Sequence, residues 1–321
     1  MHHELLLALR DSHLWNQLAF NEYEEIARFV ATLLPRSLQF ERVETFQIGI
    51  QQHHVALFEW VDSSEQSIGP FVLIPGGTVT LGYDRTQPPV PSEELVCEWQ
   101  EHSLYHHGDS LTIDGVLIKD ILPPDYEAFH AYLERNLLPL RKVTLQPFLI
   151  EVAATEASQF VPWPLPIRSQ QKAQGERRRY FSYTPRYGPT HRLVDVFVRQ
   201  QGFRLLTSDE WEYACSAGTR TLFYWGEGPF ATEQSEANTH PRPHPFGLKI
   251  ADNTRCWEYC DDPDIMRGGD GGFAAHGGAD VLTGWLPLAS AYACHLAADK
   301  TNSGVYSGYL RRVIDLTLLL E

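Results

Sequence analysis

Cys97, Cys215, Cys256, Cys260 and Cys294 are the residues best suited to chemistry in this sequence. A thiolate is both a nucleophile and a soft metal ligand. Cys256 and Cys260 lie four apart around Trp257, a spacing that puts two thiols on one face of a helix. The favoured reading makes them small core residues beside a core Trp. Cys294 stands next to His295. Neighbours in a strand point to opposite faces, so that thiol and imidazole do not converge easily. HSLYHHGD at 102–109 groups three histidines with an aspartate, either a metal cluster or a solvated loop. His2, His3, His13, His53 and His54 crowd the N-terminal part. DDPD at 261–264 reads as a turn. GGDGGFAAHGG at 268–278 is glycine-rich, but no lysine or helix start follows in register, so it is no phosphate loop. Spacing picks out no Ser–His–Asp set.

The composition narrows the classes. Hydrophobic residues make up 43% and charged residues 21%, enough apolar material for a substantial core. The formal charge of −15 disfavours nucleic acid, which needs clustered cations. The basic run Arg177–Arg179 reads as an exposed loop. No segment reaches about 18 consecutive apolar residues, so no membrane span is expected. The N-terminal MHHELLLALRDSHLW reads as a helix start rather than a secretory signal. A cytoplasmic location with reduced cysteines is the expectation, and the odd cysteine count agrees.

The elements that must position these groups alternate in type. Apolar residues over 4–34 form two helical stripes broken near Asn16, ended by Pro35. FQIGI at 46–50 and HVALFEWV at 54–61 read as strands. FVLIPGGTVTLGYD at 71–84 reads as strand, turn, strand, with Gly76 and Gly77 in the turn. Residues 85–140 form an insertion that opens on the proline-rich RTQPPVPSEE and contains a helix at 125–138. VTLQPFLIEV at 143–152 returns to strand, 161–190 is a surface loop and 193–201 a helix. Thr207 and Glu210 form a capping box, and Gly218 is a helix stop. Beyond 218, Gly, Pro, Asn and aromatic residues predict a loop-heavy region.

A run of motifs then appears in order. FVLIPGGTVTLG stands at 71–82, VTLQPFLI at 143–150 and RLLTSDEWEYA at 204–214. FYWG follows at 223–226, HPFGL at 244–248, CWEYC at 256–260, RGG at 267–269 and GYLRRV at 308–313. Together they resemble the formylglycine-generating-enzyme, or sulfatase-modifying-factor, family. The resemblance implies an α+β, C-type-lectin-like fold with little regular structure. Residues 1–65 would be a short N-terminal helical and strand extension. Residues 66–321 would form the family domain, with its insertion at about 85–140.

The resemblance also frames the chemistry. Formylglycine-generating enzymes hold Cu(I) between two cysteines. Cys294 matches the second, and Ala289 stands where the first would be. The related ergothioneine-type sulfoxide synthases add a helical domain with three iron-binding histidines, whose spacing the N-terminal histidines lack. Copper and iron are therefore not expected as cofactors. Asp252, Asn253 and Glu258 are oxygen ligands of the type the family uses for structural Ca²⁺. They also suit capping or hydrogen bonding. The leading reading is a divergent member that serves as a scaffold binding a protein or small-molecule ligand, first of all at the 268–290 loop. The alternative is a metal-dependent oxidase working on thiols through Cys294 as its catalytic residue. Whether the chain is catalytic is left open.

Overall fold

The computed structural model describes residues 2–48, 51–61, 67–106, 112–113, 115–117, 123–160, 189–228, 243–271, 281–295 and 308–317. The loop read over 161–190 falls almost wholly outside them. So do the arginine run at 177–179, His107, Asp109 and most of the 268–278 glycine stretch.

The chain begins with α1 (His2–Leu9), α2 (Ser12–Trp15) and α3 (Phe20–Leu33). The strands β1 (Leu38–Ile48), β2 (Gln51–Val61), β3 (Ser67–Ile74) and β4 (Gly77–Leu81) follow. The insertion carries α4 (Glu93–His106), the short pair β5 (Thr112–Ile113) and β6 (Val116–Leu117), and α5 (Tyr126–Asn136). Asp125 caps α5 by accepting the Ala128 amide at 2.9 Å. Next come β7 (Arg141–Leu145), β8 (Phe148–Glu151), β9 (Thr155–Glu156), α6 (Ala157–Phe160), α7 (His191–Gln200) and α8 (Ser208–Ser216). The C-terminal part has only short elements: β10 (Glu258–Tyr259), β11 (Ile265–Arg267), α9 (Val281–Trp285), a 3₁₀ turn at Leu286–Leu288, β12 (Cys294–His295), β13 (Tyr309–Leu310) and β14 (Val313–Asp315). The fold is α+β.

One five-stranded sheet runs β1-β2-β3-β8-β14, antiparallel throughout. Its central strands are apolar at successive positions, FVLI in β3 and FLI in β8, because both faces are covered. Val55, Leu57, Val72, Ile74, Phe148 and Ile150 belong to one core with α4, α5 and α8. Ala56, Phe58, Phe71, Leu73 and Leu149 belong to a second core with α1–α3 and α7. The N-terminal residues thus supply two strands of the main sheet and a layer upon it, since β2 pairs directly with β3. A second sheet, β12-β11-β10-β13-β9, gathers the short C-terminal strands.

Three local readings differ in detail. The helical region over 4–34 breaks twice, at residues 10–11 and 16–19, not once near Asn16. The second break brings Trp15 and Tyr23 into edge contact, and the Tyr23 hydroxyl donates to the Trp15 carbonyl at 2.8 Å. Cys256 and Cys260 flank a strand, not a helix turn, so their spacing does not give a shared helical face. The helix stop read at Gly218 holds: α8 ends at Ser216, Ala217 caps it at φ 47°, and Gly218 follows at φ 82°. Finally, 143–152 is two strands, not one, and with the strand–turn–strand read over 71–84 it makes one ribbon. Its register passes unchanged from Ile74↔Phe148 to Gly77↔Leu145 across a corner at Pro75–Gly76 and Gln146–Pro147.

That corner explains a glycine. A Cβ on Gly76 would lie 2.6 Å from the Leu145 carbonyl oxygen and 2.8 Å from the Pro147 nitrogen, both backbone atoms that cannot move aside. Gly76→Ala should therefore lower stability by about 2 kcal/mol through overpacking. Gly228→Ala, where a Cβ meets nothing within 4 Å, should be nearly neutral. Urea unfolding of both variants checks the contrast.

Candidate functional site

α8 is the pivot of the C-terminal part. Thr207 Oγ1 accepts the Glu210 amide at 3.1 Å, and Glu210 Oε2 accepts the Thr207 amide at 2.9 Å, completing the box read from sequence. Glu210 also receives Arg204 through both guanidinium nitrogens, at 2.7 and 2.8 Å. Trp211 is buried, and its Nε1 donates to Glu258 Oε2 at 3.0 Å.

Glu258 in turn receives Arg311 in a fork, with Nε at 2.7 Å and Nη2 at 3.1 Å. The same guanidinium donates to the carbonyls of Glu151, Val152 and Lys249. Arg312 pairs with buried Glu151. A third buried arginine, Arg267, is fully enclosed. It donates to Glu212 at 2.9 Å, to Ser208, and to the carbonyls of Ser290 and Tyr292 at 3.1 and 2.6 Å. Arg141 reaches the same Glu212 oxygen at 2.7 Å. Arg267 therefore fixes the path of the 289–294 segment, because it grips two of that segment's backbone oxygens.

Beside this segment lies a cleft of about 70 Å³. The end of β4, the start of the insertion, α8 with the turn after it, and Ser290–Ala291 form its walls. Leu81, Leu137 and Leu222 make it apolar in part, and Glu212, Asp84 and Arg220 supply charge. Glu212 Oε1 accepts the Gly82 amide at 2.5 Å, so both of its oxygens are occupied. Hydrogen bonds from Thr86 hold the Asp84 carboxyl below its ordinary range.

The residues singled out in the sequence fall around this frame. Ala289 is fully buried in the core and offers no donor. Cys294 is half-buried in β12, which pairs with β11 at Met266↔Cys294. Burial and the nearby Asp270 carboxylate raise its thiol pKa. His295 is its exposed strand neighbour. Burial pushes the Cys215, Cys256 and Cys260 thiols up to about 12. All three stay protonated at neutral pH and are poor nucleophiles. Asp252 and Asn253 are exposed, and Asn253 Oδ1 accepts the Arg255 amide at 3.0 Å. Glu258 is turned inward, with both carboxylate oxygens taken by Arg311 and Trp211. His54 bonds Thr45, and His13 bonds Gln17. Among the described residues, no group of three or more His, Cys, Asp or Glu is placed to hold a metal ion.

Residues 58–255 match the family described as the sulfatase-modifying factor enzyme 1-like domain, more than half of the chain. The chain belongs to this sulfatase-modifying-factor family. No match to a curated protein was found. The match takes in the glycine corner, the capping box and FYWG, and it ends two residues before Trp257. Arg267, Ala289 and Cys294 lie beyond it, so the match itself assigns them no role. Among the described residues of this family member, no helix is long and apolar enough to cross a membrane.

Sequence reasoning missed the buried arginines and His244. Their signal was a carboxylate set among aromatics, as in Glu258 between Trp257 and Tyr259. His244 of HPFGL is buried. Its Nε2 donates to the Cys215 carbonyl at 2.9 Å, and its Nδ1 accepts the Phe246 amide at 3.1 Å. Burial lowers its pKa from 6.5 to about 4.

Two stability measurements follow from this geometry. Arg311→Met should cost about 4 kcal/mol, because it strands Glu258 as a buried charge. Adding Glu258→Gln should recover part of that loss, so a double-mutant denaturation cycle should be strongly non-additive. For His244 the folded pKa is the lower one, so the unfolded chain binds the extra proton. Its stabilisation is complete above about pH 6.5 and falls away as pH drops toward 4, by roughly 3 kcal/mol. Denaturant midpoints compared with His244→Gln across this range should isolate that slope.

Proposed function

We propose that this protein is a divergent family member that uses the fold as a binding scaffold. The observation that carries the proposal is Ala289. Where the resemblance puts the first copper cysteine, the chain has a methyl group fully enclosed in the core. A two-thiolate Cu(I) site needs two soft donors, and one thiol at Cys294 does not meet that need. The donor set does not fit copper.

The cleft walled by β4, α8 and Ser290–Ala291 is where a ligand is expected; of the 268–290 stretch singled out in the sequence it takes in Ser290, while residues 281–288 are a short helix and a 3₁₀ turn rather than a loop. Short C-terminal strands held by side chains support a C-type-lectin-like arrangement. Because β2 pairs with β3, residues 1–65 are read as working in one unit with the family domain. Glu258 is assigned to its ion pair with Arg311. A calcium ion bound with Asp252 and Asn253 would have to pull it away. A chelator should therefore leave the thermal midpoint unchanged. The net charge of −15 supports a protein or small-molecule partner over nucleic acid, and the odd cysteine count, which leaves no complete disulfide framework, supports a cytoplasmic setting.

The oxidase alternative rests on Cys294, which is half-buried beside Asp270. Metal analysis after copper or iron loading, with oxygen uptake measured on thiol substrates, separates the two readings. The expected result is no stoichiometric metal and no uptake above background. Stoichiometric metal with oxygen uptake, both lost in Cys294→Ser, would replace the scaffold with an oxidase.

A further inference from the structure

We infer that the cleft takes a small zwitterion, a molecule carrying an ammonium and a carboxylate a few bonds apart. This deepens the scaffold reading above and rests on it. Two opposite charges face each other at the cleft, Arg220 Nη2 and Asp84 Oδ2, 3.7 Å apart. That distance exceeds a hydrogen bond, so the pair is loose. Each partner is anchored from behind. Arg220 Nη1 donates to the Thr80 carbonyl at 3.1 Å. Asp84 Oδ1 accepts the Thr86 amide at 2.9 Å and the Thr86 hydroxyl at 2.6 Å.

The anchoring leaves unused capacity on the facing atoms. A guanidinium has five N–H donors in a fork that suits a carboxylate, and Arg220 has spent one on Thr80. The Asp84 carboxylate, which also receives the Gln87 amide, still has acceptor capacity for an ammonium. Glu212 is a weak competitor for that ammonium, because two guanidinium groups, Arg141 and Arg267, already balance its charge.

Charge balance selects the ligand class. A lone anion on Arg220 would face the Asp84 carboxylate, and a lone cation on Asp84 would face Arg220. A zwitterion replaces the loose pair with two closer ones and changes no net charge. The cleft is small, about 70 Å³, which favours a small ligand. Leu81, Leu137 and Leu222 accept a short aliphatic segment between the charged ends.

The test is isothermal titration calorimetry of the full chain with glycine and β-alanine, against acetate and methylamine. Saturable binding of at least one zwitterion is expected, with neither single-charge probe binding. Asp84→Asn and Arg220→Gln should each weaken that binding at least tenfold. Thermal midpoints like that of the unsubstituted chain would show that both variants are folded. Three outcomes overturn the proposal: no saturable heat with either zwitterion, acetate or methylamine binding as tightly, or affinity unchanged in both variants. These outcomes leave the scaffold reading standing, since that reading fails only on metal and oxygen uptake.

Discussion

Three guanidinium groups closed off from water hold the C-terminal part of this molecule. Arg267, Arg311 and Arg312 are all buried, and each meets a buried carboxylate. A buried ion pair gains little over packed hydrocarbon, yet losing one partner is severe. The pairs therefore act as constraints more than as sources of stability. Strands of two or three residues cannot fix their own positions. Here Arg311 binds three backbone carbonyls from two distant segments, and Arg267 binds two from the 289–294 segment. Side chains do the work that a ladder of backbone bonds does in the main sheet.

Much of the framework could be read from residue order. Thr207 and Glu210 announced a helix start by a local rule, and the local rule held. The apolar runs at 71–74 and 148–150 gave strands, and their lack of alternation reflects a sheet covered on both sides. What escaped was non-local. Nothing near Pro75 says that its ribbon partner bends at Pro147. Nothing near Arg311 says that its carboxylate lies at Glu258, 53 positions away. Arginine is mostly a surface residue, so a composition-based reading places it outside. Gly218 was read correctly as the stop, and the left-handed Ala217 before it had no signal of its own, since alanine rarely takes that shape.

The candidate site was legible in its negative half. Ala289 could be seen in the sequence as a lost donor, and the fold adds that its surroundings have closed around it. The cleft was not legible, because its walls come from β4, the insertion, α8 and Ser290–Ala291, four stretches far apart in the chain. Glu258 shows the same difficulty. By type it is a calcium ligand, and by placement it is the counter-charge of Arg311.

The insertion leaves the ribbon just after Leu81 and returns just before Arg141, and these two residues are cross-strand partners. Its two ends are therefore held at a fixed short separation whatever lies between them. Each doubling of a flexible loop closed in this way costs only about 0.6 kcal/mol. The insertion forms one wall of the cleft, while the buried arginines lie outside it. Relatives could exchange this wall for others of different length and shape without disturbing the charged frame beneath. In this architecture the shape of the cleft can change while the fold stays put.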